Sequence, residues 1–273
     1  MSITQDYLIF SSILLLLILG PLVLFIYLQR VIEDALHQTM LKLFSHHQFF
    51  WNRIINSIGI ILHECSHALM AVCFGFKISQ FRPLAWNPQE ADTLADVHFQ
   101  EQLPSRRNPL ISVLNHLGYV FVGLAPLFGV GSCLLLSLKV LTNWQLPGSL
   151  ITISTNTVSG SQVLRLLEQG VLTLMTNLLT QPLVVLWFLF LTLFFSHGFT
   201  LNDQDLVLAA TSFIPLGIFY LLFMALIVIG QQQVRLLTVV LQYDSIVLVF
   251  GLFLLSAEFI WFLFFASLKL SVA

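Results

Sequence analysis

Long apolar runs, separated by shorter polar stretches, make up most of the chain. A transmembrane helix needs about 20 mostly apolar residues to cross about 30 Å of hydrocarbon. The first run lacks a preceding basic residue and a small-residue cleavage site, so we expect a retained span rather than a signal peptide. By length and hydropathy we predict about six transmembrane helices, at residues 7–28, 54–74, 110–140, 178–196, 206–229 and 246–268.

The third of these runs is too long for one straight crossing. It also contains several residues that commonly kink a membrane helix, namely Gly118, Gly123, Pro126, Gly129 and Gly131. We therefore expect a kinked helix, or a helix with a broken extension, over this run.

Three connections are more polar than the spans they join. Residues 29–53 predict an interfacial amphipathic helix. Residues 77–108 mix extended-looking apolar residues with prolines and acidic residues, which predicts a short β-hairpin or a folded loop. Residues 142–177 are expected to end in an amphipathic helix from Ser161 onward. No internal repeat or linker is visible, so we predict one all-α membrane domain over residues 1–273, with a short β-like loop after the second helix.

Composition supports a membrane protein. Hydrophobic residues make up 58% of the chain and charged residues only 9%, whereas a soluble domain carries about 25% charged residues. The mean hydropathy is +0.92. The 25 phenylalanines suit a surface that faces lipid. The net charge of −2 argues against a nucleic-acid partner, because no basic stripe is present to neutralise phosphates.

The pentapeptide His63-Glu64-Cys65-Ser66-His67 lies inside the second apolar run. Residues i and i+4 of a helix lie on the same face, so His63 and His67 can both direct a ring nitrogen at one ion. Glu64 lies on the adjoining face, where its carboxylate can take a proton from a zinc-bound water without being a ligand. Zinc lowers the pKa of such a water to about 7. The pattern is therefore typical of zinc metalloproteases, with Glu64 as the general base.

The setting of this motif strengthens the prediction of a zinc site. Apolar residues flank it on both sides, over residues 58–62 and 68–70. An ionisable side chain at bilayer depth costs about 2.5 kcal/mol or more. Three such side chains within little more than one helical turn need a compensating interaction, which a bound metal ion would supply.

A catalytic zinc site has three protein ligands and an open position. His67 lies eight residues before Gly75, or about 12 Å from that helix end, and the alternation of spans brings the junction between the fourth and fifth spans to the same face. Asp203 and Asp205 lie in this junction. We predict Asp205 as the third ligand, at a helix start, with Asp203 as the cap of that helix or a partner of the ligand. Glu258, within the sixth span, is the main alternative ligand.

The other histidines and the cysteines carry weaker signals. His197, at the end of the fourth span, either supports the site by hydrogen bonding to the reacting groups or is simply a polar residue at a helix end. Cys65, Cys73 and Cys133 lie in apolar runs and have no CxxC spacing. We interpret them as buried small apolar side chains rather than disulfides or thiolate ligands.

The helix that holds residues 63–67 resembles the site-2 protease family of zinc intramembrane metalloproteases. As in that family, the motif is followed by a helix of small residues, a glycine at Gly75 and a β-like segment, and an Asp-containing segment follows later, here at residues 201–206. The resemblance implies cleavage of a transmembrane or membrane-adjacent helix. Carried over to this chain, the zinc ligands and the base are His63, His67, Asp205 and Glu64. Asp205 is followed by Leu206, where the family's motif usually has a glycine.

The leading hypothesis is an intramembrane zinc endopeptidase whose substrate is a membrane protein with a transmembrane helix. Such a substrate must unwind, and residues 77–108 offer an edge to which it could pair as an added strand. The alternative is a non-proteolytic transporter or scaffold with a structural or vestigial zinc site. A lipid-modifying di-iron enzyme fits less well, because those sites use several Glu and Glu-x-x-His elements. We expect a multi-pass protein of a prokaryotic cytoplasmic membrane.

Overall fold

The structure is a computed structural model that describes residues 3–43, 56–84, 96–101, 109–147, 150–151, 160–230 and 232–272. Within these residues the chain is mostly helical and has one small sheet, as predicted. The elements are α1 (Ile3–Leu43), α2 (Ser57–Cys73), β1 (Phe76–Arg82), β2 (Asp96–Glu101), α3 (Pro109–Gly123), α4 (Ala125–Thr142), α5 (Gly160–Leu179), α6 (Pro182–Phe199), α7 (Asp203–Ala210), α8 (Phe213–Ile229) and α9 (Gln233–Val272).

Four of the described helices are long and apolar enough to cross a membrane. They contain the segments Phe10–Met40, Ala125–Thr142, Pro182–Phe199 and Gln233–Leu268. Helices α7 and α8 add a fifth span if they are counted together across a bend of 54°. Helix α2 has 17 residues and is therefore about 25 Å long, short of the 30 Å hydrocarbon layer. The chain is an integral membrane protein, but the predicted count of about six spans is not confirmed.

Large apolar side chains cover much of the outer surface, as expected for contact with lipid. Ile214 and Ile229 are exposed over about four-fifths of their area. Cys65 and Cys73 are also exposed, and Cys133 is partly exposed. The interpretation of the cysteines as buried was therefore wrong for Cys65 and Cys73. An apolar run does not separate interior from outward positions in a membrane protein, because lipid imposes no penalty on apolar surface.

The segment after the first span differs from the prediction. Instead of a separate interfacial helix, α1 continues without a break to Leu43, and residues 44–53 lie outside the described part of the chain. Two polar residues of this extension, Gln29 and Glu33, are almost fully buried and therefore face protein. Helix α1 packs along α9, so its second half is held by a neighbouring helix.

The third apolar run is broken, as predicted. Helix α3 ends at Gly123 and α4 begins at Ala125, with Leu124 between them. Pro126 stands in the first two positions of α4, where a missing N–H is tolerated. A helical carbonyl accepts from the N–H four residues later, so Pro126 leaves the carbonyl of Val122 without a helical partner. This carbonyl is therefore available for another donor.

The predicted β-hairpin and the predicted amphipathic helix are both confirmed. Strands β1 and β2 pair antiparallel, with Phe76 opposite Glu101 and Arg82 opposite Asp96, and β1 packs against α2. Helix α5 begins at Gly160. It packs against α9 and buries Val163, Leu174 and Leu178, while Arg165 and Glu168 on the other side are exposed.

Helix α2 packs against α4 and α6, while α3 packs on α7. Close approach of backbones requires glycine at two of these contacts. A Cβ on Gly198 of α6 would lie 2.6 Å from the carbonyl oxygen of Gly59 in α2. A Cβ on Gly123 would lie 2.6 Å from the backbone oxygen of Asp205. The ends of α3 and α6 and the start of α7 therefore meet at one side of α2.

The first prediction concerns membrane insertion. Vesicles that contain the protein are washed with alkaline carbonate, which releases peripheral proteins, and the pellet and supernatant are compared. Because at least four helices are apolar over a full membrane crossing, we expect the chain to stay in the pellet and to be released only by detergent. Recovery in the carbonate supernatant would contradict the integral membrane assignment.

Candidate metal centre

His63 and His67 lie one turn apart on the buried face of α2. Their Nε2 atoms are 3.0 Å apart, and only 7% and 6% of the two residues is exposed. The Nδ1 atom of His67 is 2.7 Å from the carbonyl oxygen of Val122, and that of His63 is 3.1 Å from the carbonyl oxygen of Gly198. Both rings are thus oriented by backbone oxygens at the ends of neighbouring helices.

These two contacts fix the protonation of the inner nitrogens. A carbonyl oxygen only accepts hydrogen bonds, so each Nδ1 must carry a proton and donate it. In a neutral imidazole the other nitrogen then presents a bare lone pair. The two Nε2 lone pairs of His63 and His67 therefore point into the same small space. Two lone pairs in contact repel, so a cation between them would stabilise this arrangement.

Asp205 supplies the third donor from the first turn of α7. Its Oδ1 atom is 3.0 Å from Nε2 of His67, and its Oδ2 atom is 3.3 Å from Nε2 of His63. Asn202 caps the helix: its Oδ1 accepts from the Asp205 N–H at 2.8 Å, and its own N–H donates to Asp205 Oδ2 at 2.9 Å. This reciprocal capping box holds the carboxylate toward the two rings.

The geometry and chemistry of this group fit a divalent metal ion. The three donor atoms are separated by 3.0, 3.0 and 3.3 Å. Ligands placed 2.0–2.1 Å from a tetrahedral ion are about 3.3 Å apart, close to these values. Among the residues that the structure describes, His63, His67 and Asp205 form the one group of three side chains with this arrangement. All three residues are buried.

The structure separates the alternatives that were open for the third ligand. Asp203 lies two residues before Asp205, but its side chain is 81% exposed and pairs with Arg30 at 2.9 Å. The prediction that Asp203 caps the helix was wrong, because Asn202 does so. Glu258 is fully buried elsewhere, with its Oε1 atom 3.4 Å from Nε2 of Gln29. Neither acid joins the two histidines.

His197 also lies apart from the three converging donors. Its Nδ1 atom is 2.9 Å from Oε1 of Glu33 in α1. His197 is nevertheless adjacent in sequence to a residue of the site, because it directly precedes Gly198, whose carbonyl oxygen contacts His63. Its predicted contact with reacting groups stays a prediction.

Glu64 follows His63 on α2 and is partly exposed. Successive residues of a helix are about 100° apart, so Glu64 lies beside the line of ring nitrogens rather than on it. Its role as a base stays a prediction, which this position and the motif support.

Three contributors to the site were missed by sequence reasoning: Asn202 and the carbonyls of Val122 and Gly198. A signal existed for the first, because Asn202 stands three residues before Asp205, the spacing of a capping box. Pro126, four residues after Val122, marked a carbonyl that no helical N–H could reach. The carbonyl of Gly198 had no local signal, because it is freed only where α6 ends.

No protein-family model, curated protein or solved structure gives a significant match to this chain.

The second prediction concerns the capping box. Replacing Asn202 with Ala removes the acceptor for the Asp205 N–H and loosens the first turn of α7, a change that costs about 1 kcal/mol in other helices. Partners that orient a metal ligand typically contribute 10–100-fold to affinity. We therefore expect Asn202→Ala to bind a divalent metal about tenfold more weakly in a competition titration. Asn202→Ser, which keeps a capping oxygen, should bind like the wild type, and equal loss in both variants would contradict the role of the cap.

Proposed function

We propose that this protein is an intramembrane zinc metalloprotease that hydrolyses peptide bonds in or next to transmembrane segments of membrane proteins. The observation that carries the proposal is the convergence of His63, His67 and Asp205 on one point, beside Glu64. Two imidazole nitrogens and one carboxylate are a donor set used by catalytic zinc sites. The resemblance of residues 63–67 to the site-2 protease motif supports the same reaction.

The chemistry divides between the ion and the chain. When bound, zinc would polarise the substrate carbonyl and lower the pKa of water to about 7. His63 and His67 contribute by being held in the correct tautomer, so that little rearrangement precedes binding. Glu64 would accept the proton of the attacking water and return it to the leaving amine nitrogen.

The number of ligands favours catalysis over a structural role. Structural zinc sites usually have four protein ligands, often cysteines. Among the described residues this group has three, and the nearby thiol of Cys65 is exposed on another side of α2. A fourth position is therefore left for water or substrate. For the same reason we place a non-proteolytic transporter or scaffold with a structural zinc second.

The sheet offers a place for the substrate. Strands β1 and β2 pair only with each other in the described part of the chain, so each has an outer edge. Strand β1 begins three residues after the end of α2 and packs against that helix. An unwound substrate segment could add to such an edge through main-chain hydrogen bonds, which need no particular sequence. We place the protein in a prokaryotic cytoplasmic membrane as a multi-pass enzyme.

The third prediction concerns the ligands. Purified wild-type protein is expected to carry one zinc ion per chain by metal analysis, because three buried donors converge on one point. His67→Ala and Asp205→Ala should each lose most of this zinc. Glu168→Ala, which removes an exposed acid on α5, serves as the matched control and should retain it. If Asp205→Ala binds zinc as tightly as the wild type, Asp205 is not the third ligand.

The fourth prediction concerns the base. Glu64→Gln keeps the size of the side chain and leaves the three donors intact, so zinc content should be unchanged. Cleavage should fall by at least about 100-fold, since general-base catalysis contributes about 10²–10⁴-fold. The assay uses single-span reporter peptides in nanodiscs and a fluorescent unfolded protein, which needs no unwinding. Cleavage at the wild-type rate in Glu64→Gln would rule out this mechanism.

A further inference from the structure

Helix α1 carries a small polar surface, formed by Gln29, Arg30 and Glu33, within its apolar segment Phe10–Met40. The three residues lie within one turn of this segment. Gln29 and Glu33 are almost fully buried, and buried polar side chains are costly unless they are paired. All three side chains pair with residues of one segment, from Ser196 near the end of α6 to Asp203 at the start of α7.

Gln29 holds the end of α6 from both sides of Gly198. It is only 1% exposed, and its Nε2 donates to the carbonyl oxygen of Ser196 at 3.2 Å and to Oγ1 of Thr200 at 3.1 Å. These acceptors stand two residues before and two residues after Gly198. The amide also lies 3.4 Å from Oε1 of Glu258 in α9.

Glu33 and Arg30, on the same side of α1, make further contacts with this segment. Glu33, 4% exposed, is paired with His197, the residue directly before Gly198. Arg30 is paired with Asp203, two residues before Asp205. Three consecutive contacts therefore run from the end of α6 to the first residue of α7.

The segment held by α1 serves the metal centre twice. The carbonyl of Gly198 orients His63, and Asp205 is the third converging donor. Helix α1 itself supplies no donor to the group. Its contacts instead fix the distance between these two contributors, because they hold the chain before, at and after the bend that separates α6 from α7.

A second cation held by Glu33 and Glu258 is the competing interpretation, and the hydrogen bonding disfavours it. Each of these buried acids has one oxygen, Oε2, without a partner in the described residues. The carbonyl, hydroxyl and carboxylate oxygens around Gln29, however, are already directed at its N–H₂ group. An ion seated among the oxygens that Gln29 contacts would displace that amide and leave its two donors unpaired.

We propose that Gln29, Arg30 and Glu33 are positioning residues that set the metal affinity of the His63–His67–Asp205 centre. The inference rests on the proposed function, because it concerns the same metal centre. Losing a contact of this surface lets the segment of Gly198 and Asp205 shift relative to α2. The ligands then no longer meet at the distances that an ion requires.

The fifth prediction tests this with full-length protein in nanodiscs, by zinc competition against a chromophoric chelator. Gln29→Leu keeps the volume but removes both hydrogen bonds, and it should weaken zinc binding about tenfold, as partners of metal ligands do. Arg30→Gln, at a partly exposed position, should weaken binding about threefold, as expected for a surface ion pair. Arg30→Lys keeps the charge and should restore most of the loss.

Tyr7→Phe is the matched control on the same helix. It removes the hydrogen bond from Tyr7 to the carbonyl oxygen of Leu221, which joins α1 to α8 away from the site, and it should leave zinc affinity unchanged. Thermal stability and the visible spectrum of the Co²⁺-substituted protein are measured alongside. The spectrum should change in Gln29→Leu but not in Tyr7→Phe.

The outcomes separate this inference from the proposed function. If wild-type protein binds zinc and Gln29→Leu and Arg30→Gln bind it equally tightly, the positioning role is overturned while the metal centre stands. If the wild type binds no zinc, the metal centre and the positioning role both fall. Should Gln29→Leu not fold, Arg30→Gln and its Lys rescue decide the question alone.

Discussion

Three electron-pair donors forced into one small space are the constraint on which the rest of this structure depends. Two imidazole nitrogens and a carboxylate lie within 3.0–3.3 Å of one another in a buried part of a membrane protein. They repel in pairs unless a positive charge lies between them. The surrounding helices hold the three donors together despite this repulsion. Each donor is oriented by a backbone group, and each of these groups lies at a helix end.

Helix ends inside a membrane protein are themselves a problem, because their free carbonyls and N–H groups find no water. Here the free backbone groups at the helix ends pair with the side chains of the metal centre, so both are satisfied by the same hydrogen bonds. Pro126 frees the carbonyl of Val122, and His67 uses it. The end of α6 frees the carbonyl of Gly198, and His63 uses it. The start of α7 is satisfied by Asn202 and Asp205, and that same bond directs the carboxylate.

Sequence reasoning reached the features that are local in the chain. The i, i+4 histidines, the hairpin after α2 and the break near Pro126 each follow from a few neighbouring residues. The placement of Asp205 beside the histidines agrees with the prediction, but that prediction used a count of about six spans that is not confirmed. The burial of Gln29 and Glu33 and the exposure of Cys65 could not be predicted this way. They depend on which side of a helix packs against another helix. When both sides of a helix are apolar, the sequence does not show which side that is.

The short length of α2 has a consequence for the membrane around the protein. At about 25 Å it is shorter than the hydrocarbon layer, as are its 18-residue neighbours α4 and α6. A bilayer adapts to short apolar helices by thinning locally, at a fraction of a kcal/mol per Å. Thinning would bring the headgroups and their water closer to the buried histidines without opening the bundle. Bilayer thickness, and hence lipid composition, would then control hydration of this centre from outside the protein.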